Sequence, residues 1–123
     1  MDLKEISETV YKFQNERDWN STDPNHFISS ILIELGELVE HYQWTNSFKE
    51  LTDEEKRVLA YEFVDVLFYL FSLSHRSGIK DIEPYFKEKL VKLAVKFPLG
   101  ITPEETVKRK AEYRKTGKNK LYD

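Results

Sequence analysis

Four carboxylates in this 123-residue chain stand out because of what surrounds them. Glu34 and Glu37 lie three apart inside the apolar stretch Ile31 to Val39, and Glu62 and Asp65 lie three apart inside a second one, Val58 to Leu73. On a helix, residues three apart share a face with Cβ atoms about 5–6 Å apart, so each pair forms a two-carboxylate claw. If the claws meet, ionised acids about 5 Å apart repel by roughly 3 kcal/mol per pair at an effective dielectric near 20. Protonation, a Lys or Arg partner, or a divalent cation must compensate. Neither stretch has a basic residue between its own carboxylates. Oxygen-only ligands suit hard ions, Mg²⁺ or Mn²⁺, rather than zinc or copper. Glu40 continues the first series and is expected at the rim.

The elements that must position these acids read as helices throughout, with only 4 Gly and 4 Pro as punctuation, and the fold class expected is all-α. A first helix over about 2–16 carries Leu3, Ile6, Val10 and Phe13 as one apolar stripe. A second, over about 25–44, is rich in Phe27, Ile28, Ile31, Leu32, Ile33, Leu35, Leu38 and Val39 and is expected in the interior. Thr52 and Glu55 form a capping box that opens a third helix, which runs to about Ser77 with Gly78 as its C-cap. A fourth covers about 82–96 and stops before Pro98. Thr102-Pro103-Glu104-Glu105 is a second capping box that starts a short last helix. If helices two and three form an antiparallel hairpin, Glu37 lies about 10 Å and Glu62 about 13 Å from the turn, which brings the claws to one level. Gly36, between Glu34 and Glu37, is read as a packing notch, or as a place where a helix or ligand approaches closely.

Composition narrows the function further. The absence of cysteine excludes a disulfide framework, a thiolate zinc site and a cysteine nucleophile, and three scattered histidines argue against an all-histidine metal site. The N-terminal residues do not read as a secretory signal, and Glu62 and Asp65 interrupt the longest apolar run, so a cytoplasmic protein with no membrane span is expected. Residues 1–100 hold 12 Lys and Arg against 18 Asp and Glu, while 101–123 hold 7 against 4. An acidic body argues against specific nucleic-acid binding, and the basic end (Lys108, Arg109, Lys110, Arg114, Lys115, Lys118, Lys120) reads as a solvated tail. One domain, 1–123, is expected, with a core over about 2–98 and a basic helix and tail over 102–123. The third helix is apolar nearly all round, and another copy of the chain is expected to complete its cover, giving a homodimer or larger.

The stretches NERDW (15–19), ELGELVEHYQW (34–44), EFVDVLFYL (62–70) and KEKLVKLAVKFP (87–98) resemble the MazG-like all-α nucleoside triphosphate pyrophosphohydrolases, most closely the dCTP pyrophosphatase branch. The resemblance covers about residues 10–98. Its ExxE and ExxD motifs are met by Glu34, Glu37, Glu62 and Asp65, with 24 residues between the pairs. It implies a four-helix-bundle-like core of antiparallel helices, assembled as a dimer or tetramer. It also implies that the four acids bind Mg²⁺, and that the substrate is a nucleoside triphosphate cleaved to its monophosphate and pyrophosphate.

Under that reading Glu34 or Glu37 orients or deprotonates the attacking water, while Glu62 and Asp65 serve as plain ligands. Lys89, Lys92 and Lys96 share a face of the fourth helix at spacings of three and four, which suits a phosphate clamp, and the resemblance selects Lys89 and Lys96. It also implies that Trp19 and Trp44 sandwich a pyrimidine base and that Tyr69 lies near the sugar. Three positions depart from the family pattern: Leu93 and His26 where asparagines are usual, and Phe97 where a tyrosine is common. They leave the acids intact and keep the base and sugar open. Two rival readings remain. A non-catalytic helical interaction module would pair its acids with lysines. A carboxylate di-iron bundle would require Glu-x-x-His, which this sequence lacks.

Overall fold

The computed structural model of the chain describes residues 1–115, which form five helices and no strand: α1 (Leu3–Asn15), α2 (Pro24–Glu40), α3 (Asp53–Arg76), α4 (Glu83–Lys96) and α5 (Pro103–Lys115). Lys118 and Lys120 of the basic tail lie outside the described residues. Local chemistry explains the helix starts. Asp2 accepts from the Glu5 N–H at 2.8 Å and Asp23 from the Asn25 N–H at 2.9 Å, and each supplies an acceptor to an otherwise unpaired first-turn donor. Thr52 and Glu55 form the full reciprocal box, at 3.2 and 3.1 Å. Lys49, first, and the cap itself hold the Glu55 carboxyl below the usual carboxylate range. Thr102 accepts from the Glu105 N–H at 3.1 Å. Gly78, at φ +90°, takes the left-handed position that ends α3.

The residues group into two compact units, one spanning Met1–Glu83 and one beginning at Pro84. In the first, α3 packs against both α2 and α1. In the second, the Arg109 guanidinium donates to the Lys96 carbonyl at 2.8 Å and ties the end of α4 to α5.

Three features differ from the sequence reading. The buried face of α1 is Ser7, Val10 and Gln14, whereas Phe13 is exposed. The stripe is turned because Gln14 finds a buried polar partner on α3. Second, α2 ends at Glu40 rather than at Trp44. There three-residue hydrogen bonds take over, His41 N–H to Leu38 O at 3.2 Å and Tyr42 N–H to Val39 O at 2.9 Å. The Thr45 hydroxyl then bonds the Ser47 backbone and competes with further helix. Third, α2 is not interior within one chain. Phe27 and Leu38 are buried, but Leu32 is 63% exposed, and Ile33 and Val39 are open as well. On α3, by contrast, the exposure of Tyr61, Val64 and Leu67 agrees with the expectation that one chain does not cover this helix. By length and composition alone α3 is long and apolar enough to cross a bilayer, a property that core helices share; Glu62 and Asp65 do not take it below that mark.

Candidate metal and nucleotide site

The α2–α3 hairpin gathers carboxylate oxygens from Glu34, Glu62 and Asp65 within 4.8 Å of one another. Glu37, nearly one turn beyond Glu34 on α2, lies within hydrogen-bonding reach of it. Glu40 is exposed, at the rim where its spacing put it. Burial first, then the Glu37 hydrogen bond and the negative charges of Glu37, Asp65 and Glu62, push the Glu34 carboxyl above the usual carboxylate range.

Whether these residues fit a cation can be judged from Glu62. Its Oε2 is buried with no hydrogen-bond partner among the described residues, and its Oε1 lies 3.7 Å from His41 Nε2. A buried carboxylate oxygen without a donor is costly, and a hard ion that takes oxygen ligands at about 2.0–2.6 Å would satisfy it within this spread of oxygens. The donor set, all oxygen and net negative, fits such an ion.

Protonation of Glu34 gives a pH test. With its folded-state pKa raised, the folded chain holds this proton more tightly than the unfolded chain, so the associated stability is present at acid pH and is lost as pH rises through the raised value. The metal-free protein should therefore melt lower at neutral than at mildly acidic pH. Glu34→Gln should flatten that difference in thermal scans, and an identical pH dependence in the variant would contradict the assignment.

The aromatic positions separate. Trp19, 50% exposed, lines a cavity of about 310 Å³ together with Gln14, Asn20, His26, Ser30 and Tyr69. Its ring meets Phe13 edge-on at 5.8 Å, and Phe13 meets Phe68 in the same way. Trp44 lies beyond the end of α2 and is 91% exposed, so the chain by itself does not close a sandwich of Trp19 and Trp44. Lys89 and Lys92 are exposed on α4, and Lys92 pairs with Glu88 at 3.5 Å. The Lys96 ammonium lies 3.0 Å from the centre of the Tyr113 ring. A Cβ added at Gly36 would meet nothing within 4 Å, so no neighbour among the described residues requires the glycine.

Sequence reasoning missed two groups. His41 stands four residues after Glu37, on the same side of α2, and that spacing was the available signal for its place beside Glu62. Arg76, with Gln14 and Ser72, forms a buried polar network. The hint in the sequence was Ser72 within the apolar run of α3; Gln14, among Lys12, Asn15 and Glu16, gave none.

No curated protein matches this chain. The family model described as dUTPase matches residues 3–119, nearly the whole length. The MazG-like resemblance therefore stands at the coarser level of an all-helical family of nucleotide-hydrolysing enzymes, and the chain belongs to the dUTPase family.

Proposed function

We propose that this chain hydrolyses a pyrimidine deoxynucleoside triphosphate to the monophosphate and pyrophosphate, with Mg²⁺ or, in its place, Mn²⁺ as the cofactor. The observation that carries the reading is the trio Glu34, Glu62 and Asp65 with its unpartnered buried oxygen, in a chain matched by the dUTPase family model. Two substrates lead: dUTP, from the family description, and dCTP, from the Glu-Arg-Asp-Trp and Gln-Trp elements. The match over residues 3–119 runs through both compact units and supports treating 1–123 as one functional domain.

Glu34, Glu62 and Asp65 would hold the ion, with Glu37 at the edge of the set. Bound there, a divalent cation offsets phosphate charge and lowers the pKa of coordinated water. Glu37 is the exposed carboxylate beside the trio and is assigned the proton of the attacking water. Trp19 and Tyr69 offer ring faces to the base and sugar from one cavity. Trp44 joins them only where another copy of the chain brings it in, and Lys89 and Lys96 are assigned to the β- and γ-phosphates. A homodimer or homotetramer covers the open faces of α2 and α3. The cytoplasm, where nucleotide pools are held, is the compartment this reading assigns, and removal of unwanted or modified nucleotides is the role.

A pyrophosphate-release screen over ordinary and modified triphosphates, with Mg²⁺ and with Mn²⁺, tests the reading. A pyrimidine deoxynucleotide should give the highest kcat/KM. Glu37→Gln should lose kcat while its Mg²⁺ midpoint stays. If every triphosphate survives intact, the enzymatic reading fails and the helical interaction module takes its place.

A further inference from the structure

The segment 16–23 between α1 and α2 carries Trp19 outside any regular element. Asp18 adopts a left-handed backbone at φ +57°, and the Trp19 N–H returns to the Gln14 carbonyl at 2.9 Å, so the segment curls back on the end of α1. One side chain fastens it to α3. Arg76, in the last turn of α3, donates from Nη2 to the Trp19 carbonyl at 2.8 Å and to Gln14 Oε1 at 3.2 Å, and from Nε to Ser72 Oγ at 3.3 Å. The Ser72 hydroxyl in turn donates to Gln14 Oε1 at 2.6 Å, and Gln14 and Ser72 are the most completely buried residues among those described. The guanidinium also lies 4.9 Å from the Phe27 ring centre and 5.2 Å from that of Tyr11.

These partners are an amide oxygen, a hydroxyl, a carbonyl and two rings. None is an anion, so Arg76 acts here as a rigid fork of donors rather than as a counter-ion. A lysine ammonium has no planar fork with which to hold this set of acceptors. By gripping the backbone of Trp19, the fork fixes where the indole stands over the cavity it shares with Tyr69.

We propose that Arg76 is a positioning residue for the nucleotide: it sets the Trp19 indole and thereby substrate affinity, without touching the acidic site. This rests on the reading above that Trp19 contacts the base. Arg76→Met in the full chain should raise KM about tenfold, the scale of losing charge-assisted hydrogen bonds, with kcat within about twofold. The Mg²⁺ midpoint should not move. In a Trp44→Phe background, where Trp19 is the sole tryptophan, the same substitution should shift emission to the red. Arg76→Lys should recover part of both effects and serves as the reading if Arg76→Met does not fold. Unchanged Trp19 emission beside a raised KM in Trp19→Ala overturns this proposal alone. A fall in kcat and in Mg²⁺ affinity in step with KM assigns Arg76 to general folding and overturns it too. If Trp19→Ala leaves KM unchanged, the base-contact reading fails and takes this proposal with it.

Discussion

Replacing Asp65 by Asn, or Glu62 by Gln, will cut triphosphate hydrolysis by about 10²–10³-fold, the scale of removing one preorganised charge-stabilising group from a transition state. Both substitutions keep the shape of the side chain and remove its negative charge. The oxygens concerned lie within 4.8 Å of their neighbours, and one Glu62 oxygen is buried without a donor, so an amide cannot replace the carboxylate as a ligand to a hard cation. The same substitutions relieve repulsion in the metal-free protein, whose melting temperature should hold or rise. Activity falling while stability does not is what separates an acidic functional site from an acidic surface. Steady-state pyrophosphate release at saturating Mg²⁺, together with thermal scans, measures both. Glu40→Gln, at the exposed rim, is the control with unchanged activity. Asp65→Asn cleaving as fast as the parent would overturn the site assignment.

A lysine at Val64 is expected to disperse the homo-oligomer proposed above. Val64 is 55% exposed on α3, and Leu32, Ile33 and Val39 of α2 are open as well, so the first unit presents more apolar surface than its own buried side chains Val10, Phe27 and Leu38 can account for. Burying an unpaired ammonium in an interface costs about 3–5 kcal/mol, which weakens self-association by two to three orders of magnitude. Sedimentation velocity at micromolar concentration should give a dimer or larger for the parent and a lighter species for Val64→Lys. A strictly monomeric parent would refute the oligomeric reading.

Helix positions and the acid cluster were legible because local rules govern them. Thr52 and Thr102 are caps that act within three residues, and Gly78 answers to backbone sterics alone. The meeting of Glu34 with Glu62 and Asp65 followed from helix rise and a short turn. What escaped depends on distant partners. Gln14 and Ser72 are 58 residues apart and Gln14 and Arg76 are 62 apart, so no periodicity in α1 could show that its buried face would turn toward a polar network. The early end of α2 escaped for another reason. Trp44 stands just before the Thr45–Ser47 turn, whose hydroxyl competes with the helix, and an apolar residue at the right spacing disguised it. The face of α2 was read as interior from composition, but composition does not say whether the cover comes from the same chain; for α3 the all-round apolar pattern did point to cover from outside the chain.

The long apolar α3 carries one more consequence of having Glu62 and Asp65 at its middle. A newly made segment of this length is offered the choice between insertion into lipid and folding in water, and an aspartate at the centre of a would-be span adds about 2.5–3.5 kcal/mol to the cost of insertion. The acids proposed to hold the cation thus also bias the helix's partitioning during synthesis, before any partner helix has reached it.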